Sequence, residues 1–227
     1  MLTRAILKIE PTLIHYYRRL TEPPAPNCRG DRDIEYSWIV ANMPEGPGEA
    51  LEFGCGNSWL SLVAARRGFH TLAVDLTPVD WAYVHPLARF VQMDVSDLKL
   101  PSSSLDLVIN CSAIEHVGLG RYGDGANDNG DLEAMNVMRA FLKPHGTMLL
   151  TIPVGQDAVV APMHRIYGGK RLRLLLQGFC TQAKEYWTKD ALNRWIAVSE
   201  DAALNQELRP NTYALGCFVL SAADTTA

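Results

Sequence analysis

Nowhere in the 227 residues does an apolar run approach the roughly twenty residues of a bilayer-spanning helix. The first eleven residues are interrupted by Arg4, Lys8 and Glu10, so they lack the apolar core of a secretion signal. Cysteine is sparse: Cys28, Cys55, Cys111, Cys180 and Cys217 are odd in number, widely spaced and never in a CxxC pair. That spacing argues against a zinc ribbon or a disulfide framework, and it points to a reducing cytoplasm with each cysteine a small buried hydrophobe. An excess of one charge is also missing. Lys and Arg total 21 against 25 Asp and Glu, a formal net charge of −4, whereas a nucleic-acid footprint over the surface needs a basic face. Seventeen glycines and thirteen prolines are too few for a collagen or low-complexity chain. Neither a membrane nor a nucleic acid is an expected partner, and one large cytoplasmic domain is the expected organisation.

What is present is an ordinary globular composition whose apolar residues change period along the chain. Residues 1–47 read as an N-terminal helical cap, with amphipathic stretches around Leu13, Tyr17 and Leu20 and again around Ile34, Trp38 and Ile39. Two breaker segments, 22–27 and 44–48, punctuate it. The cap is too short for a core of its own, and it covers either its own subunit's site or a neighbour's, as the arm of a homodimer. From residue 48 to 227 the pattern alternates. Buried strands are expected at 50–53, 71–74, 89–93, 105–111 and 147–152, and helices at 57–67 and 132–142. Further strands are expected at 183–187 and 214–221. Alternation of this kind implies right-handed crossovers and a mostly parallel sheet. The expected fold is α/β: an open, doubly wound, Rossmann-like sheet of seven strands.

Ligands of such sheets bind beyond the carboxyl ends of the strands, where strand order reverses. The first strand ends in Glu52-Phe53-Gly54-Cys55-Gly56-Asn57-Ser58. Gly54 and Gly56 permit a tight turn and a close approach of backbone to ligand. Asn57 or Ser58 is placed to cap the next helix. Nineteen residues after Gly56, Asp75 closes the second strand, where a carboxylate can accept the two hydroxyls of a ribose. Asp94 closes the third, in position for an exocyclic adenine amine. A single GxG also serves ordinary strand-to-helix turns, so the signal lies in three features held in register. A dinucleotide fingerprint would need glycine at position 59, where this chain has Trp59. That departure disfavours a nicotinamide-dependent oxidoreductase.

The segment 51–58 resembles motif I of the class I S-adenosylmethionine-dependent methyltransferases. Asp94-Val95 resembles their adenine-contacting motif, residues 105–110 their strand-four motif, and Leu142-Lys143-Pro144-His145-Gly146 the turn before their fifth strand. There His145 replaces a glycine, and histidine tolerates left-handed φ better than most residues. The resemblance covers about residues 48–155. It implies a seven-stranded sheet with an antiparallel last strand, and S-adenosylmethionine as cofactor, held by Glu52, Gly54, Gly56, Asp75 and Asp94. It also implies an arginine ahead of the first strand for the methionine carboxylate, Arg29 or preferably Arg32.

The segment after the fourth strand, 111–124, should pass beside the transferred methyl group. A hydroxyl acceptor must lose a proton as its new bond forms, which an imidazole of near-neutral pKa can take. His116 is the leading candidate for that base and Glu115 for its orientation, against the plainer reading that the pair packs the turn. His164, in a loop with Arg165 and Tyr167, competes as base or substrate ligand. Asp124, Asp128 and Asp131 offer oxygens that a magnesium ion would accept, although Gly/Asn/Asp clusters are more often solvated loops. Lys170, Arg171 and Arg173 among leucines read as the outer face of an amphipathic helix rather than an RNA site. The polar loops favour O-methylation of a small polar acceptor, a saccharide, and residues 115–124 and 164–168 resemble bacterial sugar methyltransferases of the methylmannose polysaccharide type. A small-molecule N-methyltransferase and a non-catalytic S-adenosylmethionine-binding protein are the alternatives.

Overall fold

The computed structural model describes residues 32–207 and 213–223. The expected helix around Leu13–Leu20, the breaker at 22–27, Cys28 and Arg29 lie outside these residues.

Strands β1 (Gly48–Phe53), β2 (Phe69–Asp75), β3 (Ala88–Gln92), β4 (Leu105–Cys111) and β5 (Leu142–Val154) form a parallel set in the order β3-β2-β1-β4-β5. A two-stranded hairpin follows, β6 (Ala158–Val160) with β7 (His164–Ile166). Beyond β5 the sheet continues through three more strands: β8 (Phe179–Lys189), β9 (Trp195–Val198) and β10 (Ala214–Ala222). Strand β10 inserts between β5 and β8 and runs antiparallel to both. The antiparallel last strand is therefore present, but among the described residues the main sheet has eight strands rather than the expected seven. The additional one is β9, an edge strand turned back onto β8 through a tight turn at Asp190. There the carboxylate accepts from the backbone N–H of Leu192 and Arg194 and pairs with the Arg194 side chain. Four residues are too short a run to stand out by alternation.

The helices are α1 (Arg32–Asn42), α2 (Leu60–Arg66), α3 (Gly130–Phe141), α4 (Arg171–Leu175) and α5 (Glu200–Leu204). Successive side chains of a strand point to opposite faces, and β4 shows the consequence. Leu107, Ile109 and Cys111 join a core with Tyr36, Trp38 and Ile39 of α1 and Leu60 and Ala64 of α2. Val108 joins the larger core on the other face, with Met135 and Met138 of α3 and Leu172 and Leu175 of α4. Each fully buried leucine or isoleucine contributes about 1.5–3 kcal/mol, so α1 is bound to the sheet by its own apolar stripe. Helix α2 begins at Leu60, three residues later than the periodicity suggests, because Gly54 and Gly56 both take positive φ and delay the first helical turn. Before the regular part of β5 the register jumps from Leu105↔Leu142 to Leu107↔Thr147. His145 sits in that bulge at φ 65°, as the turn chemistry anticipated.

Candidate active site

Strand β1 has β2 on one side and β4 on the other, so the order of connection reverses there. A cavity of about 320 Å³ opens at its carboxyl end, within the range of small-molecule sites. Arg32, Glu52, Gly54, Gly56, Asp75, Asp94 and His116 all line it.

Gly54 has φ 63°, and a Cβ there would stand 2.5 Å from the Ala113 Cβ, so this position admits only glycine without displacing the β4 loop. Gly56, at φ 46°, has open space where its Cβ would be. Asp75 holds the turn: Oδ2 accepts from the Gly56 N–H at 2.9 Å, while Oδ1 accepts from the N–H and hydroxyl of Thr77 at 2.9 and 2.7 Å. Asp94 caps the short 3₁₀ turn Val95–Asp97 by accepting at Oδ1 from the N–H of Ser96. The Ser58 hydroxyl accepts from the Leu60 N–H at 3.0 Å, so Ser58 rather than Asn57 is the residue that meets the start of α2. Trp59 packs edge-on against Tyr36 at 5.5 Å between ring centroids. The position that would take glycine in a pyrophosphate-binding turn here docks the N-terminal helix.

Glu52 is buried on the cavity floor. Oε2 accepts from the Ser61 N–H at 2.8 Å and from its hydroxyl, whereas Oε1 has no partner among the described residues. Burial raises its pKa above the ordinary carboxylate value. An orphaned buried oxygen costs about 1–3 kcal/mol, and a cationic ligand group would relieve it. Arg32 reaches the cavity from α1, ion-paired with Glu35. Glu35 is fully buried, accepting at Oε1 from the hydroxyls of Ser112 and, at 3.0 Å, Thr151. Ser112 has φ 46°, a strained value for a residue with a side chain. The sequence reading missed Glu35, Tyr36 and Ser112. An acidic residue in an amphipathic helix carries no mark of facing inward, and only the docked position of α1 shows it.

His116 Nδ1 lies 2.5 Å from the Met163 carbonyl oxygen. A carbonyl can only accept, so Nδ1 carries the proton and Nε2 keeps its lone pair. Nε2 stands 3.7 Å from Glu115 Oε1, beyond hydrogen-bond length. Burial, then the charge of Arg121, lower the His116 pKa to about 4. The ring is therefore neutral at pH 7 but a weaker base than the near-neutral imidazole the sequence suggested. Glu115 is buried behind it with Oε2 unpartnered, and burial raises its pKa to about 8. His164 is not on the cavity wall; its ring centroid is 6.5 Å from that of His116.

Two expectations are corrected. Asp131 is no metal ligand: its buried carboxylate pairs with Arg165 and Arg171 and accepts from the Tyr167 hydroxyl. Asp124 accepts from the N–H groups of Gly118 and Tyr122, and among the described residues no cluster of His, Cys, Asp and Glu could hold a metal. The magnesium site is not supported. Arg165 and Tyr167, grouped with His164 as substrate ligands, are buried instead. Arg165 donates to the carbonyls of Val117 and Asn127, tying the loop after β4 to the hairpin.

This sheet order, with a cofactor-sized cavity at the reversal, is the fold of the class I S-adenosylmethionine-dependent methyltransferases. The 1,6-didemethyltoxoflavin-N1-methyltransferase of Burkholderia thailandensis superposes with a TM-score of 0.57 at 15% identity, over 98% of this chain and 89% of that one. A SAM-dependent methyltransferase from Archaeoglobus fulgidus gives 0.59 at 17% identity, over 85% and 96%. Residues 51–206 match the family described as Caenorhabditis protein of unknown function, DUF268, and the chain belongs to that family. It is also 31% identical over 98 residues to a probable S-adenosylmethionine-dependent methyltransferase of Mycobacterium tuberculosis, covering 38% of this chain and 36% of the relative. Over 92 residues it is 29% identical to the ubiquinone biosynthesis O-methyltransferase of Xylella fastidiosa, 37% of each. The match spans little more than a third of the length of these curated relatives.

Proposed function

We propose that the protein is an S-adenosylmethionine-dependent O-methyltransferase acting on a hydroxyl of a small polar acceptor, a saccharide or glycosylated metabolite. The observation that carries the reading is the position of His116: its unprotonated Nε2 belongs to a residue on the wall of the cavity that Gly54, Asp75 and Asp94 build. The residues fit the cofactor. Asp75 and Asp94 supply carboxylates for ribose hydroxyls and an adenine amine, Gly54 and Gly56 leave room for it, and the orphan oxygen of Glu52 suits its amino group. Arg32 is within the same cavity for its carboxylate. When bound, S-adenosylmethionine supplies an activated methyl group for in-line displacement.

The chain's own part is to hold the acceptor hydroxyl in line and to take its proton at Nε2. The Met163 carbonyl fixes the tautomer that makes this atom the acceptor. Met163, in the turn of the β6–β7 hairpin, is thereby tied to His116.

N-methylation is the second reading, favoured by the low basicity of His116 and needing no strong base. The two separate in one assay, which follows transfer of labelled methyl groups from S-adenosylmethionine into carbohydrate and small-molecule fractions by wild type and His116→Ala. O-methylation predicts base-stable label in carbohydrate and a rate lowered by roughly 10²–10⁴-fold in the variant, with S-adenosylhomocysteine affinity retained. Label in an amine pool with a near-normal variant rate would replace the first reading by the second.

A further inference from the structure

We infer that the acceptor carries an oxyanion, a carboxylate or a phosphate, and that Arg121 is the residue that binds it. The inference rests on the transferase reading above and names the substrate class of the same site. Arg121 follows His116 by five residues, is exposed, and stands beside His116 and Tyr122, which line the cavity. Its NH1 donates to the Met163 carbonyl at 3.1 Å and stands 3.4 Å from His116 Nδ1. Its guanidinium carbon lies 5.0 Å from the ring centroid of Tyr122, which itself lines the cavity. One nitrogen and the aromatic face thus hold the side chain in place, while NH2 and Nε have no partner among the described residues.

The other arginines at this end of the sheet differ. Arg32 is paired with Glu35, and Arg165 and Arg171 share Asp131. Arg121 has no carboxylate within ion-pair distance among the described residues. The acids nearest in sequence do not fill that role. Glu115 is buried, its pKa pushed up to about 8 by burial, and the Asp124 carboxylate accepts from the backbone N–H groups of Gly118 and Tyr122, neither forming an ion pair with Arg121. The charge of Arg121 is also felt by His116 and His164, after burial the next charged cause that lowers each of them. Arg121 is thus an exposed cation beside the His116 imidazole and the Tyr122 ring, both of which line the cavity. A planar guanidinium whose Nε–NH2 edge is free matches a carboxylate or phosphate in two parallel hydrogen bonds. Because it stands against the imidazole of His116, the oxyanion and the reacting hydroxyl fall within one small molecule. A sugar acid or a sugar phosphate carries both groups.

The test is calorimetric titration of the full chain, with and without S-adenosylhomocysteine, using glucose, glucuronate and glucose 6-phosphate as probes. The expected result is that one or both anions bind roughly tenfold to a hundredfold tighter than glucose, with affinity falling as salt rises. Arg121→Gln should erase the preference and Arg121→Lys should retain part of it. The ratio of the two anions distinguishes carboxylate from phosphate. Equal binding of glucose and the anions, binding of none of the three, or a preference that survives Arg121→Gln overturns the inference. Should Arg121→Gln not fold, the salt dependence in wild type and the lysine variant carry the decision. Loss of S-adenosylhomocysteine binding in wild type would instead remove the transferase reading, while an anion preference measured without it would still be read.

Discussion

Replacing Glu115 by glutamine should flatten the pH dependence of folding stability on the acid side of pH 8. The Glu115 side chain is buried at the turn after β4, and its Oε2 has no hydrogen-bond partner among the described residues. Burial raises the carboxyl from 4.5 to about 8. Between those values the folded protein holds a proton that the unfolded chain has released, so stability falls as pH rises through the window. Each pH unit removes about 1.4 kcal/mol. The loss is complete above the folded pKa, and by about pH 7 it amounts to roughly 3 kcal/mol. Glutamine does not titrate. Urea unfolding of both proteins at a series of pH values should therefore give a stability difference that shifts in favour of the variant by about that amount from pH 5 to 7. Other titrating groups are common to both chains and cancel. Parallel stability curves would refute the reasoning, because they would mean that Glu115 reaches solvent or a partner and ionises normally. The same ionisation has a kinetic consequence. Above about pH 8 a carboxylate 3.7 Å from Nε2 makes His116 more basic, so the transfer rate should rise there in wild type and lack that rise in Glu115→Gln.

Asp75→Ala should weaken S-adenosylhomocysteine binding by about 1–3 kcal/mol, read by calorimetry, and unchanged affinity would remove the cofactor from this cavity. Gly54→Ala forces a Cβ to within 2.5 Å of Ala113 at φ 63°. It should cost at least about 1–2 kcal/mol of folding stability and weaken the cofactor analogue, and a melting temperature equal to wild type would contradict it. Asp131→Asn leaves buried Arg165 without its carboxylate and should destabilise the fold by about 3–5 kcal/mol, measured by urea unfolding. A loss below 1 kcal/mol would return Asp131 to the solvated loop assumed from sequence.

That Glu52, Gly54, Gly56, Asp75 and Asp94 share one cavity was legible because the parts are local. Glu52 lies near the end of β1 and the two glycines follow it, Asp75 ends β2, Asp94 follows β3, and the sheet aligns strand ends at one edge. His116 was legible for the same reason, as a titratable residue just past the fourth strand. What failed was any assignment that depended on a partner distant in sequence. Asp131 looked like a loop acid because Arg165 and Arg171 lie 34 and 40 residues away. Arg165 looked like a substrate ligand for the same reason, and the edge strand β9 was too short to register as a period.

Read alone, the residues were enough for the class of fold, through the hydrophobic period, and for placing Gly54, Asp75 and Asp94 at the strand ends that line the cavity, while the antiparallel last strand came from the resemblance to a known family. Which charges face one another emerged only from the fold. Glu35 turned out to be buried, the Glu115 carboxyl to be pushed up by burial and His116 to be a weak base with a fixed tautomer, while Arg121 kept its Nε–NH2 edge open beside His116. Charge state depends on solvent and on partners brought together across the fold. Neither quantity is written in the order of residues along one strand and its turn.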